Sequence, residues 1–296
     1  MLIRGLKAYP KLISKEKITM AKEIIELKVD YEKAGIKDIG DKPTLECYYS
    51  TLTEEIGRKK HRALIICPGG GYDYCSEREA EPIAFRFIAH GISCFVLRYT
   101  CQRAFPQDAL ECAAAVKYVR ENAAKYDIDP NKIAVMGFSA GGHLAATMAN
   151  LWNSEILTKP LGCTPEDIKV NASVLCYAVL TSEPEFTHEG SIQNLLRGRE
   201  NDQELRDFLA MEKRVGAHTP PTFLWHCADD GCVRVQNSLF YMTSLAKYWI
   251  PFESHIYEHG GHGLGLCDET TATWEGHIQP VAAAWADAAI KWLLRL

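Results

Sequence analysis

The chain has 296 residues and a net charge of −5, with 47% hydrophobic and 24% charged residues. Such a composition supports a large buried core, and the acidic balance leaves no basic footprint for nucleic acid. No apolar run is long enough to span a bilayer, and the N-terminal "MLIRGLKAYPKLISKEK" lacks the apolar core and cleavage site of a secretion signal.

Along the chain, the region to about residue 45 is polar, and "SKEKITMAKEIIELKVDYEKAG" reads as an amphipathic helix. "RALIICPGGG" is a strand that runs into a glycine loop. "EPIAFRFIAHG" is a helix with proline near its start and Gly91 at its end, and "ISCFVLRY" is an apolar strand covered on both faces. "PQDALECAAAVKYVRENAAKY" is a helix with Leu110, Ala114, Val116 and Val119 on its apolar side, and "DIDPNKIAVMGF" is a turn and a buried strand. Three more strands follow, "NASVLCYAVL" (171–180), "PTFLWHCA" (221–228) and "PFESHIYEH" (251–259). A helix occupies the stretch from Val233 to about Trp249, and "VAAAWADAAIKWLLRL" closes the chain as another.

Strands alternating with helices of this length predict an α/β fold, a mostly parallel central sheet with helices on both faces. Residues about 182–220 break the rhythm and are expected to form a small polar cap above the carboxyl edge of the sheet. One domain over 1–296 is expected, with 1–45 as an N-terminal extension. The 11 cysteines are odd in number and scattered, with no Cys-x-x-Cys pair, which fits reduced thiols in the cytoplasm.

Gly137-Phe138-Ser139-Ala140-Gly141 has the Gly-x-Ser-x-Gly pattern of a nucleophile elbow between a strand and an alanine-rich helix. A serine hydroxyl is a weak nucleophile and needs a general base, itself oriented by an acid. Asp229 and Asp230 follow one later strand, and His259 and His262 follow the next. Asp230 is preferred as the acid because it stands three residues before Val233, where the next helix can be anchored. His262 is preferred as the base because it lies between glycines in a loop free to turn back, whereas His259 ends a strand. Oxyanion donors are expected from the N–H groups of Gly70, Gly71 and Ala140. Tyr72, next to those glycines, can line the acyl pocket or pack in the core, and His143 reads as structural. His255, His259 and His262 are spaced as on a helix, but strand followed by glycine loop puts them on no common face, so no metal is expected.

Taken together, "PGGGY", "GFSAGGHLAA", "CYAVLTS", "NLLRG", "TPPTFLWHCADDGCVRVQNSL" and "GGHGLGL" resemble the α/β-hydrolase superfamily over about residues 45–295. Within it the chain is similar to the esterase/lipase branch that holds acetyl xylan esterases and related carbohydrate esterases. The resemblance implies an α/β-hydrolase fold, Ser139 as nucleophile, Asp230 as acid and His262 as base, with no cofactor. It also implies hydrolysis of short acyl esters, such as acetyl groups on xylo-oligosaccharides. Two positions depart from it: Pro68 opens the glycine loop where lipase-type relatives have histidine, and Ala178 stands where proline is expected. An amidase or peptidase would use the same triad, and a binding protein on an inactive scaffold would use none of it. A homodimer is compatible with the sequence.

Overall fold

Period-two alternation along the strands sorts their side chains onto two faces, and each face acquires its own core. The structure is a computed structural model that describes residues 20–37, 40–50 and 60–296. Its strands are β1 (Met20–Glu26), β2 (Thr44–Ser50), β3 (His61–Cys67), β4 (Ile92–Arg98), β5 (Ile128–Phe138), β6 (Ala172–Cys176), β7 (Thr222–Cys227) and β8 (Phe252–Tyr257). They form one sheet in the order β1-β2-β4-β3-β5-β6-β7-β8. The β1/β2 and β2/β4 ladders are antiparallel and every other ladder is parallel.

The helices are α1 (Glu81–Ile88), α2 (Gln107–Glu121), α3 (Ser139–Leu151), α4 (Glu155–Leu161), α5 (Pro165–Ile168), α6 (Glu189–Leu196), α7 (Gln203–Phe208), α8 (Gln236–Lys247) and α9 (Ala284–Arg295). Ile65, Phe95, Val135 and Leu175 point toward α2, α3 and α8, while Ile66, Val96, Met136 and Trp225 point toward α1 and α9. A fully buried side chain of this kind contributes roughly 1.5–3 kcal/mol, so these two layers, rather than surface ion pairs, hold the sheet. Helix α3 is buried along its whole length, which accounts for its many small residues.

Three expectations change. The amphipathic helix expected in the N-terminal region is replaced, where described, by β1 and a short turn at Glu32–Ala34. Ile25 packs on the core and Leu27 is buried, while Ile24 faces solvent. A full ladder on the edge of β2 outweighs the marginal stability of a short surface helix. Strand β6 ends at Cys176, because Tyr177 at φ 36° turns the chain out of the sheet. The cap is also less polar in its anchoring than its composition implies. Ile192, Leu195, Leu196, Leu205, Leu209 and Met211 are buried in the layer shared with α2 and α3. Among the described residues, no helix is long and apolar enough to cross a membrane.

Candidate active site

Strand β5 ends with Phe138 in extended conformation, and Ser139 then takes φ 52° as the first residue of α3. A non-glycine residue held there costs on the order of 1–3 kcal/mol, which the surrounding packing must offset. The close approach leaves room only for glycine at 141, where a Cβ would lie 2.1 Å from the Cys67 carbonyl oxygen. Ser139 therefore stands at the positive end of the α3 dipole.

The loops after β7 and β8 bring Asp230 and His262 to it. Ser139 Oγ lies 2.8 Å from His262 Nε2, and His262 Nδ1 lies 2.7 Å from Asp230 Oδ2. The carboxylate only accepts, so Nδ1–H donates to it and Nε2 is left to accept the serine proton. Asp230 has no side-chain exposure, against 18% for His262. Its Oδ1 accepts the N–H groups of Cys232 and Val233, both at 2.9 Å. Burial alone would raise the Asp230 carboxyl. The hydrogen bonds and charge of His226 and His262 overcome that and hold it well below the usual carboxylate range. His226 Nε2–H serves two acceptors, the Val233 carbonyl at 2.8 Å and Asp230 Oδ2 at 3.2 Å.

The glycine loop after β3 lies against the elbow, with the vacant Cβ position of Gly69 only 3.0 Å from Ser139 Cβ. Gly70 has φ 123°, and a Cβ there would strike the Tyr74 carbonyl oxygen at 2.1 Å. Among the described residues, the N–H groups of Gly70, Gly71 and Ala140 donate to no protein acceptor, which leaves them available to a developing oxyanion.

The loop is braced from behind by a carboxylate that sequence reasoning missed. Glu79, 4% exposed, accepts the Gly69 N–H at 2.9 Å and the Tyr177 hydroxyl at 2.6 Å. Tyr177 accepts the Gly265 N–H at 2.9 Å and packs edge-on against the His262 ring, 5.0 Å between centroids. The neighbouring Arg78 donates to the Gly263 carbonyl at 2.7 Å. A short segment before α1 thus ties the glycine loop to the loop that carries His262. Nothing in "SEREAEP" marks this, since a carboxylate in a charged run ordinarily faces water.

The remaining candidates separate clearly. Tyr72 does not line a pocket: it is 1% exposed, and its hydroxyl lies 2.8 Å from His143 Nδ1. His143 Nε2–H donates to the Leu209 carbonyl at 2.9 Å, and burial lowers its pKa to about 4, so it is a neutral link between α3 and the cap. Core packing claims Tyr72 because the turn at φ 62° points it inward. Ala178 is likewise buried, against Gly142 of α3. His255, His259 and His262 have three different partners, Glu253, Asp229 and Asp230.

With this geometry in hand, residues 52–245 match the BD-FAE family. The chain is 34% identical over 227 residues to endo-1,4-beta-xylanase B of Butyrivibrio fibrisolvens, covering 73% of this chain and 35% of that protein. It is 30% identical over 213 residues to acetylxylan esterase of Xylanibacter ruminicola, covering 69% of this chain and 41% of that protein. The chain thus spans less than half the length of these two relatives. An acetyl ester-xyloside bifunctional hydrolase from Caldicellulosiruptor lactoaceticus, solved by crystallography, matches with a TM-score of 0.78 at 34% identity, over 95% of this chain and 98% of that one. The glycine loop, the elbow and the proposed acid all fall inside the matched residues, and the chain, with its α/β-hydrolase fold, belongs to the BD-FAE family.

Proposed function

We propose that the protein is a serine ester hydrolase that removes short acyl groups, acetyl above all, from carbohydrates such as xylo-oligosaccharides. The observation that carries this reading is the unbroken line Asp230 Oδ2–His262–Ser139 Oγ at 2.7 and 2.8 Å, set beneath a glycine loop with spare N–H donors. His262 Nε2 takes the Ser139 proton as Oγ attacks the ester carbonyl. The oxyanion is met by the main-chain donors of Gly70, Gly71 and Ala140. His262 then protonates the departing alcohol, leaving an acyl-serine, and water activated by the same imidazole releases the acid. Asp230 stays ionised throughout, fixes the imidazole tautomer and stabilises its charged form.

Two similar proteins named for acetylxylan or acetyl-ester chemistry support the carbohydrate side of the proposal. So does the cap, which brings His188 and Asn194 to the glycine loop. The test is hydrolysis of 4-nitrophenyl acetate and of acetylated xylo-oligosaccharides by the wild type and by Ser139→Ala. Turnover of both by the wild type and of neither by the variant is expected. A wild type inert on both sinks the ester-hydrolase reading. The cytoplasm is proposed as its compartment on the strength of the odd, scattered cysteines. Titration of unfolded protein without reductant is then expected to find all 11 thiols.

A further inference from the structure

The stretch "HEGSIQNLLRG" (188–198) contains one of the segments that carry the resemblance, yet the triad uses none of it. In the structure it forms α6, and α6 sits on the glycine loop. Asn194 Nδ2–H donates to the Gly71 carbonyl at 3.0 Å, and the Leu195 carbonyl accepts the Phe105 N–H at 3.0 Å. These contacts hold the last turn of α6 to the neighbouring loops, and its first turn also lies near Gly71: a Cβ placed there would lie 3.8 Å from His188 Cε1 and 4.0 Å from Ser191 Oγ.

Ser191 settles which nitrogen of His188 carries the proton. The Ser191 main-chain N–H, shared between the His188 carbonyl at 3.0 Å and Nδ1 at 3.3 Å, can only donate, and Ser191 Oγ is 2.8 Å from the same nitrogen. Nδ1 is therefore the acceptor, and the neutral ring carries its hydrogen on Nε2. Partial burial, followed by the charge that His262 takes up, lowers the His188 pKa, with Asp230 opposing, which favours the neutral ring. Among the described residues Nε2–H has no acceptor. The molecule thus holds an oriented donor beside the oxyanion loop, within the field of the triad, with nothing of its own to bind.

We propose that His188 is a specificity residue for the alcohol side of the ester, its Nε2–H donating to a hydroxyl oxygen next to the esterified position of a sugar. The assignment rests on the ester-hydrolase reading and follows from counting acceptors. An acetyl group offers one acceptor, the carbonyl oxygen, and that is taken by the main-chain donors. The acceptors left for a further N–H are the oxygens of the alcohol.

The test compares wild type, His188→Ala and His188→Gln on 4-nitrophenyl acetate, whose leaving group bears no hydroxyl, and on a mono-acetylated methyl xyloside. Loss of one neutral hydrogen bond predicts that His188→Ala loses about tenfold in kcat/KM on the xyloside, mostly through KM. On the aryl acetate it keeps its rate within about threefold, which also shows that the variant is folded. His188→Gln, whose amide N–H can reach the position of Nε2–H, recovers part of the xyloside rate. Equal losses on both substrates, or no loss on either, overturn the assignment while leaving the esterase reading intact. A wild type that cleaves the aryl acetate but not the xyloside overturns the carbohydrate reading and this assignment together.

Discussion

Two Asp–His pairs stand side by side in this molecule, supplied by the same two loops. Asp230 and His262 meet at 2.7 Å with the carboxylate sealed from solvent, while Asp229 and His259 meet at 3.3 Å with side chains 44% and 72% exposed. The residue types are identical and the positions differ by one and by three. What separates them is the environment built around the acid. Asp230 has His226 beneath it and two N–H groups on its other oxygen, whereas Asp229 spends its oxygens on the main chain of Gly260 and Gly261. One pair is held where a proton can be moved. The other pins the loop that presents the first.

The largest effect expected from this contrast is on the buried pair. Asp230→Asn leaves the ring without the acceptor that sets its tautomer, and kcat is expected to fall about 10⁴-fold, with Ser139→Ala and His262→Ala at least as severe. Steady-state hydrolysis of 4-nitrophenyl acetate measures this, and a fluorophosphonate probe should label the wild type but not Ser139→Ala. A loss for Asp230→Asn no greater than for Asp229→Asn would erase the distinction between the pairs. The same carboxylate has a pH signature. Its folded pKa is lowered, so its contribution to stability is complete above the unfolded value of about 3.9 and disappears as pH falls through the folded value. Melting curves between pH 3 and pH 7 should therefore show a shallower acid limb for Asp230→Asn than for the wild type.

A middle-sized effect is expected at the brace. Removing one oxyanion donor outright costs about 10²–10³ in kcat. Glu79→Ala frees the Gly69 N–H and loosens the loop without deleting a donor, so a fall of about 10- to 100-fold in kcat is expected, with KM little changed. Glu79→Gln keeps a carbonyl oxygen for Gly69 and can turn its amide toward the Tyr177 hydroxyl, and should recover much of the rate. If kcat of Glu79→Ala stays at the wild-type level, the brace plays no part in holding the oxyanion loop.

These residues also mark how far the sequence could be read. Sequence singled out Ser139 and Asp230 just beyond the buried apolar strands β5 and β7, and His262 between glycines after the half-exposed β8, and the structure brings the three within hydrogen-bond reach of one another. The inner parallel strands were legible as apolar runs closed by turn residues. Glu79 was not, because its meaning lies in contacts with Gly69 and with Tyr177, the latter 98 residues away. Tyr72 stood open between pocket and core until His143, 71 residues on, supplied a partner for its hydroxyl. The N-terminal strand was misread as a helix because its partner edge on β2 is invisible to local periodicity. In each case the missing information is a long-range pairing, not a local preference.

The smallest effects are expected at the exposed pair, and they test whether it acts only as a fastening. Asp229 accepts the Gly261 N–H at 2.9 Å and the Gly260 N–H at 3.3 Å, and these bonds lower its pKa, the first more than the second. Asp229→Asn keeps one carbonyl oxygen but sets its amide against the second N–H, so His262 should lose some positional order. A fall in kcat of about two- to fivefold is expected for a strained but unbroken loop. His259→Ala removes only a solvent-exposed ring whose contact with Asp229 is open to water, and should stay within about twofold of the wild type. The order Asp230, Asp229, His259 follows from burial and from what each carboxylate oxygen holds. If His259→Ala cost as much as Asp229→Asn, the imidazole itself would be organising the loop, and the main-chain bonds to Gly260 and Gly261 would be its consequence.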